Sequence, residues 1–218
     1  MSTFAVGGQR LVLLPEKAAY LPDHRALLIA DVHIGKAMSF RQLGVPVPHG
    51  TTAATLAAIS ALVGRLDAGR VIFLGDFLHS RRSHAPSTMA SVTEWRERHA
   101  DLELTLVRGN HDDRAGDPPA HLRIDAVDEP LAIDGLRLCH HPRPAADGYV
   151  LGGHLHPCIH VGGRPFDRLR LPCFWFGARV GVLPAFGAFT GMHPIRPAAG
   201  DRVFAVADAH VAELPRPR

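Results

Sequence analysis

The sequence predicts a mixed α/β domain built on two sheets. Two observations carry this expectation. In the first 110 residues, short apolar runs alternate with helical patterns as strand–helix–strand–helix–strand, which implies a mostly parallel sheet. Beyond residue 120 the helical patterns give way to short strands and turns, which implies a second sheet. No repeat, low-complexity linker or compositional break divides the 218 residues, so a single domain over 1–218 is expected.

The elements follow in order. "RLVLLP" (10–15) reads as a strand entered from a hairpin turn at Gly7-Gly8. "ALLIAD" (26–31) is a buried strand ending in an acid. "GTTAATLAAISALVGRL" (50–66) reads as a helix of Ala and Leu, with Thr51 or Thr52 as its cap. "RVIFLGD" (70–76) is a second buried strand, "APSTMASVTEWRERHA" (85–100) an amphipathic helix, and "LELTLVRGN" (102–110) a third strand. Asp134-Gly135 between two apolar runs signals a hairpin. "YVLGGHLHP" is a further strand ending in polar residues, and from 168 onward only strands and turns are expected. Trp95 fits helix packing and Trp175 the core, while His24, His49, His99, His121, His160 and His210 read as surface or packing residues.

Composition narrows the class. With 46% hydrophobic and 21% charged residues, the chain has enough apolar surface for a sizeable core. A net charge of +3 and a pI near 9.1 permit an acidic or phosphorylated partner without demanding one. Three cysteines, none in a CxxC, read as reduced thiols of a cytosol-like compartment. "MSTFAVGGQR" lacks a basic segment followed by an apolar one, so no signal peptide is expected and a cytoplasmic location is. The most apolar stretch (171–189) contains Pro172, Arg179 and Pro184, which suits buried strands better than a lipid-spanning helix.

Seven of the 15 histidines gather where the strands end. The ends carry Asp31-Val32-His33, then Gly75-Asp76 with His79 beyond, then Gly109-Asn110-His111-Asp112, Cys139-His140-His141 and Gly153-His154-Leu155-His156. Sites in open α/β sheets form outside the carboxyl ends of strands, so five such ends would line one pocket. On extended backbone, Asp-x-His and His-x-His point both side chains to one face. Mixed carboxylate, imidazole and amide donors suit Mn, Fe or Zn, and suit Ca or Cu(I) poorly. An acid such as Asp76 can bridge two ions, the arrangement that clamps an in-line displacement at phosphorus. Taken singly these motifs are weak, since Asp-x-His arises by chance and Gly-Asp is common in loops. The five together, each at a strand end, are not.

This series resembles the calcineurin-like metallophosphoesterases over residues 26–156. The wording around it, "LGVPVPHGTT", "GDFLH", "RGNHD", "CHHP", "GGHLHPC" and "LPCFWFGARVGVLPAFGAFTG", is similar to the bacterial ligase-associated DNA damage response endonuclease (PdeM) subfamily over nearly the whole chain. The resemblance implies a four-layer αββα sandwich and two divalent metal ions, with Mn expected and Fe or Zn as alternatives. It implies one ion held by Asp31, His33, Asp76 and His156, and a second by Asp76, Asn110, His140 and His154, with Asp76 bridging. It implies a metal-bound hydroxide as nucleophile and His111 as the acid that protonates the leaving alkoxide. DNA as substrate, and a repair ligase and helicase as partners, are implied with it.

Two places depart from the family pattern. His79 stands where many members have the Asp or Asn that orients the catalytic His, so either Asp112 substitutes or no dyad exists. The His140-His141 pair leaves two ligand candidates, of which His140, the first polar residue after its strand, is preferred. "SRRSH" (80–84) reads as a solvated basic loop or as a phosphate-contacting lip. Arg81, Arg82 and Arg143 are the candidate substrate-binding residues, and Arg108, Arg114 and Arg179 also sit beside motif residues. A DNA phosphodiesterase or endonuclease of a repair system is the leading expectation. Hydrolysis of a small phosphodiester, or a non-catalytic scaffold with a vestigial site, are the alternatives.

Overall fold

The computed structural model describes residues 2–48, 50–162 and 168–215, so His49 lies outside them. The first sheet is laid down in chain order: β1 (Ser2–Val6), β2 (Gln9–Leu13), β3 (Ala19–Leu21), β4 (Ala26–Ile29), β5 (Arg70–Leu74), β6 (Glu103–Val107) and β7 (Ile124–Val127). β1 to β4 pair antiparallel, and β4 to β7 pair parallel. The sheet is therefore mixed, not mostly parallel. Connection length decides this. Gly7-Gly8 is a two-residue turn that can only reverse the chain, whereas a parallel neighbour needs a crossover of about a dozen residues or more. Those crossovers are helical. α1 (Lys36–Gln42) and α2 (Thr51–Leu66) join β4 to β5, and α3 (Pro86–Arg98) joins β5 to β6. α4 (Asn110–Ala115) starts three residues past β6.

Neither Thr51 nor Thr52 caps α2. Gly50 occupies the cap position at φ 78° with no side-chain cap bond. A capping side chain must stand just outside the first turn in extended backbone. Both threonines are already inside it.

The period of two along the strands builds two cores. Leu27 and Ile29 on β4, with Val71 and Phe73 on β5, face Leu56, Ile59 and Leu62 of α2 and Val92 and Trp95 of α3. Ala26, Leu28, Ile72 and Leu74 face the other way, onto Leu138, Leu151, Phe174 and Phe204 of the second sheet. Trp95 is fully buried, and its indole N–H donates to Ser60 Oγ at 3.0 Å.

The second sheet comprises β8 (Leu131–Ile133), β9 (Leu136–Leu138), β10 (Tyr149–Gly152), β11 (Pro157–Val161), β12 (Leu169–Phe176), β13 (Val180–Val182), β14 (His193–Pro194), β15 (Arg202–Ala207) and β16 (His210–Glu213). Its order is β14-β11-β12-β13-β10-β9-β8, with β15 and β16 attached through β12. Asp134-Gly135 makes the expected tight turn, since Ile133 pairs with Leu136. β9 and β10 run parallel, which brings their carboxyl ends together. Trp175 is only half-buried and donates to Asp201 at 2.8 Å. Alternation along β12 puts Phe174 into the core instead.

The mixed α/β sandwich of two sheets is thus the observed architecture, with the α-helices of the described residues all before Gly116. No helix among the described residues is long and apolar enough to cross a membrane. Cys139, Cys158 and Cys173 are buried free thiols, and burial pushes Cys139 up to about 11 and Cys173 to about 12. Because Phe174 is fully buried between the sheets, Phe174→Ala should cost about 3–5 kcal/mol in denaturant unfolding. A loss under about 1 kcal/mol would show that the inter-sheet core closes over the gap.

Candidate metal centre

The carboxyl ends of β4, β5 and β6 from one sheet, and of β9 and β10 from the other, meet at one rim of the sandwich. The loop after β4 is zipped to the loop after β5: His33 N–H donates to the Asp76 carbonyl at 2.8 Å, and Ile34 N–H to Phe77 at 2.8 Å. Across the sheets, the His154 N–H donates to Asp31 Oδ2 at 2.9 Å. This approach leaves no room for side chains at the glycines preceding the motif residues. A Cβ on Gly75 would lie 2.1 Å from His140 Nδ1, one on Gly109 2.4 Å from Asp76 Oδ1, and one on Gly153 2.6 Å from Asp31 Oδ2.

The motif residues do not sit on extended backbone. β4 ends at Ile29, and Asp31 (φ 53°) and His33 (φ 51°) are left-handed. Asp76 (φ 52°), His154 (φ 66°) and His156 (φ 45°) are too. The shared facing of Asp31 with His33, and of His154 with His156, therefore comes from kinked loops and not from strand alternation. Each such residue costs on the order of 1–3 kcal/mol and persists only where its surroundings enforce it.

The side chains converge as two groups that share Asp76. In one, His33 Nε2 is 3.7 Å from Asp76 Oδ2, and His156 Nε2 is 3.5 Å from Asp31 Oδ1. In the other, His140 Nε2 is 3.5 Å from Asp76 Oδ1, 3.1 Å from Asn110 Oδ1 and 3.0 Å from His154 Nδ1. The two oxygens of Asp76 thus face different imidazoles. Proton positions make the convergence costly without a cation. His140 Nδ1 lies 3.1 Å from the Leu74 carbonyl and must carry the ring proton, so Nε2 presents a lone pair. That lone pair meets the Asn110 and Asp76 oxygens, which are acceptors as well, and His154 Nδ1, which can donate to it only in one tautomer. His156 differs: Nδ1 donates to the Gly191 carbonyl at 2.9 Å, Nε2 lies 3.5 Å from Asp31 Oδ1, and the hydrogen bond and charge of Asp31 outweigh burial and raise its pKa. Donors about 2.0–2.2 Å from one ion stand about 3.0–3.6 Å apart, so these separations suit divalent cations.

Burial favours the neutral, ligating form of three imidazoles. It pushes the pKa of His33, His140 and His154 below the usual imidazole value. It raises that of Asp76, with the neighbouring Asp31 charge adding to the rise. A bound cation would reverse the Asp76 shift.

His111 belongs to the same cluster, its ring centroid 4.9 Å from that of His33 and a ring nitrogen within 4.8 Å of nitrogens of His33 and His79. Its Nδ1 donates to the backbone carbonyl of His79 at 2.6 Å, and its Nε2 stands 4.0 Å from Asp76 Oδ2. No carboxylate dyad orients it. Asp112 is buried and accepts the N–H groups of Leu78 at 2.9 Å and Gly109 at 3.0 Å, so it pins the loop after β5 to the start of α4. Burial raises its pKa to about 6. The His79 ring stacks on His111 with centroids 4.9 Å apart, and burial lowers its pKa to about 4.

Of the adjacent histidines, His140 points inward and is fully buried, whereas His141 Nδ1 lies 2.8 Å from Glu129 Oε1. Glu129 also accepts the N–H groups of His140 and His141. Arg81 and Arg82 line an open groove of about 460 Å³ with His79, His111 and Arg114. Arg143 is exposed two residues past His141. Arg108 is taken up by Asp117 and Asp128, each at 2.8 Å, and Arg179 donates to the Ala145 carbonyl. Sequence reasoning misses Lys36. It is half-buried, and burial lowers its pKa against the pull of Asp76 and Asp31. Its position three residues after His33 is the available signal.

A family model described as calcineurin-like phosphoesterase matches residues 24–155. A solved structure of the nuclease MPE from Pseudomonas putida shares 46% identity, with 98% of this chain and 99% of that chain covered and a TM-score of 0.87. The phosphoesterase Yfce from E. coli shares 14% identity, with 87% and 97% covered and a TM-score of 0.44. No curated protein sequence matches the chain. The family-model match over more than half of the residues, with the near full-length likeness to the nuclease, makes this chain a member of the calcineurin-like phosphoesterase family.

Proposed function

We propose that the chain is a dinuclear-metal nuclease that hydrolyses phosphodiester bonds of DNA, with Mn as the expected metal. One observation carries the reading: Asp76 stands between two donor sets, with His111 and an arginine-lined groove beside it. The likeness to the Pseudomonas putida nuclease supports the substrate class. Asp31, His33, Asp76 and His156 would hold one ion, and Asp76, Asn110, His140 and His154 the other. When bound, two divalent ions acidify an attacking water and draw charge from the phosphoryl oxygens.

The chain's own groups do the rest. His111 has its Nδ1–H committed to the His79 carbonyl, so only Nε2 can hand a proton to the departing oxygen. Asp76, 4.0 Å from that Nε2, places a carboxylate beside the ring on its proton-bearing side. Arg81, Arg82 and Arg114 line the groove with no carboxylate among its residues, which suits a phosphate backbone. Arg143 adds exposed positive charge at the same rim. The repair ligase and helicase partners belong to this reading.

Asp76→Ala should lose both ions or nearly so in metal analysis, because two cations without a bridging carboxylate repel at close range. Full double occupancy in that variant would remove the bridging role. His111→Gln should keep both metals and cut DNA cleavage by about 10²–10⁴-fold, with a smaller loss on bis-p-nitrophenyl phosphate, whose leaving group hardly needs a proton. His79→Ala should lose far less than His111→Gln, because the carbonyl that orients His111 remains. Equal losses in the two variants would place the orienting function in the His79 ring. Arg81→Ala with Arg82→Ala should raise KM for DNA and flatten its salt dependence by about 0.7–0.9 for each phosphate no longer neutralised. An unchanged salt slope would assign the lip a structural role.

A further inference from the structure

A second groove opens across α1 from the arginine groove, with Met38 and Arg41 lining the one and Ser39 and Leu43 the other. It encloses about 530 Å³ and is lined by Met38 and Arg41 of α1, Thr51 and Thr52 in the first turn of α2, and Ser87 and Thr88 in the first turn of α3, among others. No acidic residue lines it, and neither helix has an acid in its first turn. The first turn of α2 is open. Gly50 supplies no capping side chain, and Ala54 N–H is the first to find a helical partner, so the amides of Thr51, Thr52 and Ala53 have no acceptor among the described residues.

Two further observations point to a ligand. Thr88 is 4% exposed, lines the groove, and its hydroxyl has no hydrogen-bond partner among the described residues. Arg41 is anchored through Nη1 to the Pro48 carbonyl at 2.8 Å, which holds its guanidinium at the groove with no carboxylate partner among the described residues. The groove is also continuous with the metal centre. Thr51 and Thr52 line a small cleft together with His33 and Lys36, whose ammonium lies 6.0 Å from the Phe40 ring and makes no ion pair among the described residues.

We propose that this groove is a second phosphate-binding subsite, in which Arg41, the first-turn amides of α2 and the Thr52 and Thr88 hydroxyls hold a backbone phosphate of the same DNA strand whose scissile phosphate lies at the metal centre. A phosphodiester oxygen satisfies the open amides, and the helix dipole favours its negative charge. Lys36 stands between the two phosphate positions. The inference rests on the polynucleotide reading above and adds a direction to it: the strand runs from the arginine groove, past His111 and the metal centre, to the first turns of α2 and α3.

Thr52→Asp is the decisive variant. An acid in the first turn complements the helix dipole and should leave the melting temperature unchanged or raise it, while opposing a bound phosphate. Thr88→Val, close to isosteric, removes the hydroxyl alone. Binding of a fluorescein-labelled 12-residue oligodeoxynucleotide to the metal-loaded full chain is read by anisotropy in a His111→Gln background, which slows cleavage. Thr52→Asp should weaken it about 10-fold. The salt slope should shallow by about 0.7, and the affinity gained between a dinucleotide and the 12-mer should shrink. Wild-type affinity and slope in both variants would overturn the subsite. Loss of inorganic phosphate binding with oligonucleotide binding intact would assign the groove to a free anion and overturn it as well. A wild-type chain that neither binds nor cuts DNA would overturn the polynucleotide reading, and this inference with it.

Discussion

The organising constraint is the meeting of Asp31 and Asp76, two buried carboxylates, with imidazole and amide lone pairs and no protein cation among them. Isolated buried charge is costly, and buried acceptors that face one another have no proton to share. The basic side chain that follows on, Lys36 at the start of α1, forms no ion pair among the described residues. Divalent cations resolve the whole set at once, because they accept every lone pair the strand ends present. The titration shifts are mixed: burial lowers His33, His140 and His154 and raises Asp76, whereas at His156 the hydrogen bond and charge of Asp31 outweigh burial and raise it.

Much of the surrounding architecture follows from holding that unfavourable arrangement. Five of the proposed ligands occupy left-handed backbone, which Asp and His tolerate better than most residues but do not favour on their own. Longer-range bonds enforce it. The loops after β4 and β5 pair through backbone, and Ser83 locks them by donating to the Ile34 carbonyl at 2.7 Å while accepting from His79 and Ser80. Asp112 does the same between the loop after β5 and α4. The two sheets can close to this distance because glycines stand at the junctions. Stability is thus placed in the clamps around the centre, and strain within it.

The sequence makes legible those features that repeat a local rule. β4, β5 and β6 read as buried strands because their runs are apolar and short, and Asp134-Gly135 reads as a turn because few dipeptides fit one so well. The clustering of Asp, His and Asn at strand ends needs only order along the chain. What fails depends on conformation or distance. Period two predicts that Asp31 and His33 share a face, and they do, but through φ values near 50° that no pattern encodes. Thr51 reads as a cap because its residue type suits one, while its position inside the first turn decides otherwise. His111 finds its partner in a backbone carbonyl, and a carbonyl has no letter in the sequence. Glu129, which fixes His141 and so frees His140 to face inward, lies 11 residues from His140 and is invisible for that reason.

The surroundings of the centre favour an extended substrate over a compact one. A small phosphodiester needs one anion pocket, and the two donor sets already provide it. Yet acid-free surface continues on both sides, through Arg81, Arg82 and Arg114 beyond His111 and through Arg41 and the open first turn of α2 beyond His33. Elsewhere the chain neutralises its arginines with carboxylates, as at Arg108 with Asp117 and Asp128, Arg25 with Asp67, and Arg202 with Glu213. Exposed pairs of that kind contribute little to stability, so leaving arginines unpaired at the rim costs the fold almost nothing. It leaves positive charge free along a line through the reaction centre. Such a line suits a polymer that carries one negative charge per residue, and it gives no advantage with a ligand that carries a single phosphate.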